Sequence, residues 1–224
     1  MKVIILGATG MVGQGVLREC LLDQDVETVL AIGRHANMQR HEKLQEILHN
    51  DLFDLSVIED RLSGYDACFF CLGVSAVGMN EEAYGRVTYD LTTSVAKTLT
   101  RLNPAMTFIY VSGASTDSTE RGRMMWARVK GKTENALLQM PFKAAYMFRP
   151  GYIQPLHGIR TKTKWYGVVY ELMGPIYPVW KFLFPKYVTT TECVGRAMLN
   201  AAKHGAPKSV LENRDINSLC QHKS

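Results

Sequence analysis

The chain has 224 residues, enough for one compact domain with a sizeable core and short for two. Apolar residues make up 46% and charged residues 21%, an ordinary globular balance, and the odd count of five cysteines argues against a disulfide scaffold. The formal net charge of +5 is uneven: residues 1–150 hold 16 Lys and Arg against 17 Asp and Glu, whereas residues 151–224 hold 10 against 4, with 9 of the aromatic residues, which speaks against a nucleic-acid binder.

Short apolar runs alternate with longer amphipathic ones. Val3–Leu6 reads as a buried strand, too short an apolar run for a signal peptide. Met11–Leu22 reads as a helix, with Met11, Val12, Val16, Leu17 and Cys20 at helical spacing. Val26–Ile32 is a strand that stops at Gly33. Leu44–Leu48 is a weaker strand followed by Asp51 and Leu52. Tyr65–Leu72 is apolar and ends at Gly73, and Glu81–Leu102 is a long helical pattern that stops before Asn103-Pro104. Met106–Val111 is a strand, Arg123–Leu138 a helix stopped by Pro141, and Phe142–Phe148 a strand ended by Arg149-Pro150-Gly151. After Tyr152 the rhythm changes to a Pro- and aromatic-rich segment. A helix near Thr191–His204, a short strand near Ser209–Leu211 and a polar tail follow.

Near-continuously apolar strands alternating with helices predict an α/β fold, a Rossmann-type doubly wound and mostly parallel sheet. One domain over residues 1–224 is expected, with a core over 1–152 and a small C-terminal, substrate-side lobe over 153–224. In such sheets ligands bind beyond the carboxyl ends of the strands. The stretch Trp165–Phe184 is interrupted by Glu171, Pro175, Pro178 and Lys181, which argues against a spanning helix. The sequence therefore reads as a cytoplasmic protein.

Gly7-Ala8-Thr9-Gly10-Met11-Val12-Gly13 joins the first strand to the first helix. The spacing is GxxGxxG. Gly7 permits a tight turn, Gly10 lets backbone N–H groups approach a pyrophosphate, and Gly13 lets the helix pack on the strand. The helix N-terminus adds oriented donors and the positive end of its dipole. The same glycines would also serve a plain structural turn. Gly33-Arg34 closes the second strand without the acid that would accept ribose hydroxyls. Arg34 instead offers a planar fork suited to a 2′-phosphate, so the expected cofactor is NADP rather than NAD.

These segments carry a resemblance. The glycine turn, Gly33-Arg34, Phe69-Phe70-Cys71-Leu72-Gly73, Tyr110-Val111-Ser112-Gly113-Ala114-Ser115, Lys130-Gly131 and Arg149-Pro150-Gly151 together resemble the atypical short-chain dehydrogenase/reductases. Within that superfamily the chain is similar to the Tat-interacting, oxidoreductase-like branch and to nucleoside-diphosphate-sugar epimerases. The resemblance covers roughly residues 1–205. It implies NADP(H) binding, with contacts at Thr9, Gly10, Met11, Val12, Arg34, Leu52, Leu72, Gly73, Lys130, Pro150 and Ile153.

Active members of that superfamily use a Tyr-x-x-x-Lys pair with a serine upstream. The lysine binds the nicotinamide ribose and lowers the tyrosine pKa, and the serine hydroxyl bonds the substrate oxygen. Here Lys130 is present, but Trp126 stands four residues before it. Indole is a donor only and exchanges no proton at neutral pH. Ser112 matches the family's serine, with Ser115 as substitute. Two accounts fit. In one, the chain is an oxidoreductase or epimerase-like enzyme acting on an apolar or aromatic small molecule, with Ser112, Lys130 and, as substitute proton donor, Tyr152. In the other, it is a non-catalytic NADP(H) sensor in which Trp126 stacks on a ring or plugs the pocket.

Weaker signals add little. Cys68 and Cys71 have redox or metal spacing but point to opposite faces of a strand. The six histidines form no ligand pair at helical spacing, so no metal site is expected. Arg121, Arg123, Arg128, Lys130 and Lys132 form a basic run that reads mainly as a solvated face. Trp165–Tyr187 carries eight aromatics flanked by lysines. It reads as a substrate lid, as plain packing of the C-terminal lobe, or as an interfacial membrane patch, the least favoured of the three. The oligomeric state and any protein partner stay open.

Overall fold

The computed structural model describes residues 1–37, 39–159 and 186–221. Its strands are β1 (Lys2–Leu6), β2 (Thr28–Gly33), β3 (Leu44–Leu48), β4 (Ala67–Phe70), β5 (Thr107–Val111), β6 (Ala144–Arg149), β7 (Tyr152–Gln154), β8 (Val188–Thr190) and β9 (Val210–Glu212). The helices are α1 (Met11–Leu22), α2 (Glu81–Gly85), α3 (Leu91–Leu102), α4 (Met125–Leu138), α5 (Thr191–His204) and α6 (Asn213–Gln221). Seven strands form one sheet in the order β3-β2-β1-β4-β5-β6-β9, and every neighbouring pair is parallel. From β1 the chain runs outward through β2 and β3, then returns to place β4 on β1's other side. This reversal opens a crevice at the carboxyl ends of β1 and β4.

The strands alternate their side chains between two apolar layers. Val3, Ile5, Val29, Ala31, Phe69 and Ile109 face the layer that includes Val16 and Leu17 of α1 and Val194 and Met198 of α5. Ile4, Leu6, Leu30, Ile32, Cys68, Phe70 and Phe108 face the layer of Val95, Leu99 and Leu137. Each fully buried large side chain contributes about 1.5–3 kcal/mol. Burial on both faces explains why these strands read as unbroken apolar runs. Helices α1 and α5 approach closely, because a Cβ at Gly15 would sit 2.6 Å from the Thr191 carbonyl oxygen.

Three features differ from the sequence reading. The long helix over 81–102 contains a π-helical turn at Arg86–Asp90 between α2 and α3. The polar tail is helical: Asn213, Ile216 and Leu219 of α6 are buried at helical spacing inside an otherwise polar segment. The chain after residue 186 divides between two places. β8 pairs with β7 in a small second sheet, and β9 returns to the main sheet beside β6. No helix among the described residues is long and apolar enough to cross a membrane. The predicted lid, Trp165–Tyr187, falls outside the described residues except for its last two, Lys186 and Tyr187.

Candidate functional site

The glycine turn is built by contact rather than by side-chain bonding. Gly7 has φ +85°, and a Cβ there would lie 2.8 Å from the Cys71 carbonyl and the Leu72 nitrogen. A Cβ at Gly13 would lie 2.0 Å from the Gly7 oxygen, so α1 starts against the end of β1 only with glycine there. Gly10 caps α1 without any side-chain hydrogen bond, its N–H donating to the Gly7 carbonyl at 2.9 Å. No acidic residue occupies the first turn of α1, so nothing neutralises the positive end of its dipole.

Above this turn runs a cleft of about 650 Å³ along the carboxyl ends of the strands. It brings together every position expected to contact a cofactor: Gly7, Thr9, Gly10, Met11, Val12, Arg34, Leu52, Leu72, Gly73, Lys130, Pro150 and Ile153. At one end Arg34 is exposed, and no hydrogen bond or ion pair engages its guanidinium among the described residues. Glu46 of β3 also lines this end, and its carboxylate accepts the Asn37 N–H at 2.7 Å. No acid closes β2, and the acid at this end comes from the next strand, where spacing from the glycine turn does not point to it.

At the other end the Lys130 ammonium donates to the Ser112 carbonyl. Burial pushes the Lys130 pKa down to about 8, against the opposing pull of Glu134 one turn later on α4. Glu134 is wholly buried. It accepts from the Ser112 hydroxyl and from the Arg149 guanidinium, whose Nε lies 3.1 Å and 3.2 Å from the two carboxylate oxygens. Arg149 also donates to Glu212 at 3.1 Å and to the Ser118 hydroxyl. Ser112 lines the cleft, and its hydroxyl is engaged by a buried carboxylate network, with the Phe148 carbonyl 3.1 Å away. What Ser112 offers Lys130 is its carbonyl.

The remaining candidates lie outside the lining. The Tyr152 hydroxyl donates to Gln154 at 2.9 Å, and it is the next residue of β7, Ile153, that lines the cleft. Trp126 is half-buried on α4, one turn before Lys130, and is likewise not among the lining residues. The Lys130-Gly131 step has a packing cause, since a Cβ at Gly131 would lie 1.8 Å from the Asp117 oxygen. Of the basic run, Arg128 pairs with Glu81 at 2.6 Å and the Lys132 ammonium sits 4.3 Å from the centre of the Tyr89 ring. Cys68 packs in one core layer and Cys71 against the other. Among the described residues no group of three His, Cys, Asp or Glu is placed to hold a metal ion.

Known proteins align with this architecture. A family model described as the NAD dependent epimerase/dehydratase family matches residues 3–121. The protein FMP52, mitochondrial, of Debaryomyces hansenii is 26% identical over 207 residues, covering 90% of this chain and 88% of the relative. The protein HTATIP2 of Rattus norvegicus is 25% identical over 223 residues, covering 97% of this chain and 88% of the relative. Among solved structures, the Bordetella bronchiseptica enzyme WbmF in complex with NAD+ superposes with a TM-score of 0.64 at 14% identity. That match covers 97% of this chain and 76% of WbmF and concerns the fold. The expected cytoplasmic location is corrected by these names. Several fungal relatives are named as mitochondrial proteins, which points away from a purely cytoplasmic chain.

Proposed function

The chain belongs to the NAD-dependent epimerase/dehydratase family, and from that premise we propose that it is an NADP(H)-dependent reductase of an apolar or aromatic small molecule. The observation that carries this reading is the convergence of the glycine turn, Arg34 and Lys130 on one cleft. The turn fits a pyrophosphate: a Cβ at Gly10 would come within 3.3 Å of the Gly7 oxygen and narrow the approach to the α1 N-terminus. Arg34, without a partner among the described residues, takes the adenosine 2′-phosphate.

A bound nicotinamide supplies the hydride. The chain must supply the proton, and neither Trp126 nor the Tyr152 hydroxyl is placed to do so. Lys130 lines the cleft and, with its pKa lowered to about 8 by burial, releases a proton near neutral pH. Ser112 positions that ammonium through its carbonyl.

Titration with NADPH and NADH tests the cofactor half of this reading. Tighter NADPH binding that Arg34→Ala abolishes is expected, and equal affinities in the unaltered protein would overturn it. A second reading, a non-catalytic NADP(H) sensor, is favoured by the Ser112 hydroxyl, which Glu134 occupies instead of a substrate. NADPH consumption across a panel of hydrophobic carbonyl compounds separates the two, since a sensor consumes none.

A further inference from the structure

Two cysteines outside this site, Cys193 and Cys220, lie on packed neighbouring helices. Cys193 is the third residue of α5, and its N–H donates to the Thr190 hydroxyl that caps the helix, at 3.0 Å. Its thiol donates to Asn217 of α6 at 3.6 Å. Cys220 follows Asn217 by three residues and so shares its side of α6. Cys193 and Cys220 therefore flank the same Asn217 across the α5–α6 contact, and both residues are partly exposed. Cys20 and Cys68, by contrast, are fully buried.

We propose that Cys193 and Cys220 form a redox-active dithiol, which a low-molecular-weight disulfide oxidises to an intramolecular disulfide joining α5 to α6. The pair is chemically asymmetric. The Cys193 pKa is lowered, first by the neighbouring Cys220 thiol and also by the Arg196 charge. The Cys220 pKa is raised by the neighbouring Cys193 and by burial. The thiolate is the nucleophile, so Cys193 attacks and Cys220 resolves. In the first step the Cys193 thiolate attacks one sulfur of the incoming disulfide, forming a mixed disulfide and expelling one thiolate. In the second, Cys220 loses its proton and attacks the Cys193 sulfur, expelling the other thiolate. One protein disulfide forms, one small disulfide is reduced to two thiols, and the two electrons come from the cysteine pair.

The staple would act near the cleft. Asn213 of α6 accepts the Gly151 N–H at 2.9 Å, and Asn213 and Asn217 both donate to the Val188 carbonyl. Gly151 lines the cleft, so α6 holds one of its edges.

The test equilibrates the full chain in buffers of reduced and oxidised glutathione, traps the thiols by alkylation and maps them by peptide mass spectrometry. The expected result is loss of two thiols in one two-electron transition, with a Cys193–Cys220 disulfide as the product. Cys220→Ser should stop at a glutathione adduct on Cys193, and Cys193→Ser should react at least tenfold more slowly. Unpaired Cys193 and Cys220 under fully oxidising conditions would overturn the proposal. So would a stable glutathione adduct on Cys193 in the unaltered chain, which needs no variant to fold.

Discussion

Glu134→Gln is the sharpest perturbation of the site's foundation. The Glu134 side chain is 1% exposed and that of Arg149 is 11% exposed, so their pair sits away from water. The amide keeps the shape but removes the charge and one acceptor oxygen. Arg149 would be left with Glu212, which is half exposed and at 3.1 Å. Breaking one side of a buried ion pair costs about 3–5 kcal/mol, because the surviving charge stays desolvated. A domain of this size holds about 5–15 kcal/mol in all, and each kcal/mol moves its Tm by about 2–4 °C. A fall of about 10 °C is expected, with a matching drop in the urea midpoint at unchanged m-value. Adding Arg149→Met removes the orphaned charge and should recover much of the loss. A single-variant cost under about 1 kcal/mol, or a double variant as unstable as the sum of the singles, would refute this account of the network.

Gly13→Ala should lower stability by several kcal/mol and weaken binding of whichever of NADPH and NADH the unaltered protein takes, because its Cβ would lie 2.0 Å from the Gly7 oxygen. Calorimetric titration with that nucleotide and a thermal melt measure both effects. If Lys130 donates the proton, the reductive rate falls as pH rises through about 8, where its ammonium is lost, and Lys130→Arg removes that inflection. The same depressed pKa fixes a stability trend. Between about pH 8 and 10 the unfolded chain holds the Lys130 proton more tightly than the folded one, so this group's contribution to stability rises with pH. Trp126→Tyr puts a phenol one turn before Lys130 but outside the cleft lining, so carbonyl reduction should stay within about twofold, as rates with a substrate panel would record; a tenfold gain would refute the assignment of the proton to Lys130.

The fold was legible because its signals are local and repeated. Val3–Leu6, Ala67–Phe70 and Thr107–Val111 are buried on both faces of the sheet, and such strands must be written in unbroken apolar residues. The helix α6 was not legible for the opposite reason. Its Ile216 and Leu219 are two apolar residues among polar ones, and its buried Asn213 pairs with backbone far away in sequence, at Gly151 and Val188. The π-helical turn within 81–102 leaves the apolar pattern intact, so composition alone does not reveal it.

The site divides along the same line. The glycine-turn end of the cleft depends on glycine spacing, and Gly7, Gly10 and Gly13 are legible because a Cβ at any of them would meet backbone at 3.3 Å or closer. The Lys130 end depends on where side chains turn after the chain has folded. Ser112 stands where the resemblance puts a substrate-binding hydroxyl, yet its hydroxyl follows the buried carboxylate of Glu134, 22 residues on. One sequence signal bears on this: Lys130 and Glu134 are four residues apart on a predicted helix and so share one face of it, which the structure turns toward Ser112. A buried carboxylate needs a cation, and Arg149 supplies it from the end of β6. The Arg149-Pro150-Gly151 segment therefore has two causes: Arg149 neutralises Glu134, and Pro150 and Gly151 shape the cleft wall. Lys130 lines the cleft and donates to the Ser112 carbonyl, and the pH profile of the proposed reductive rate decides whether that lysine works alone.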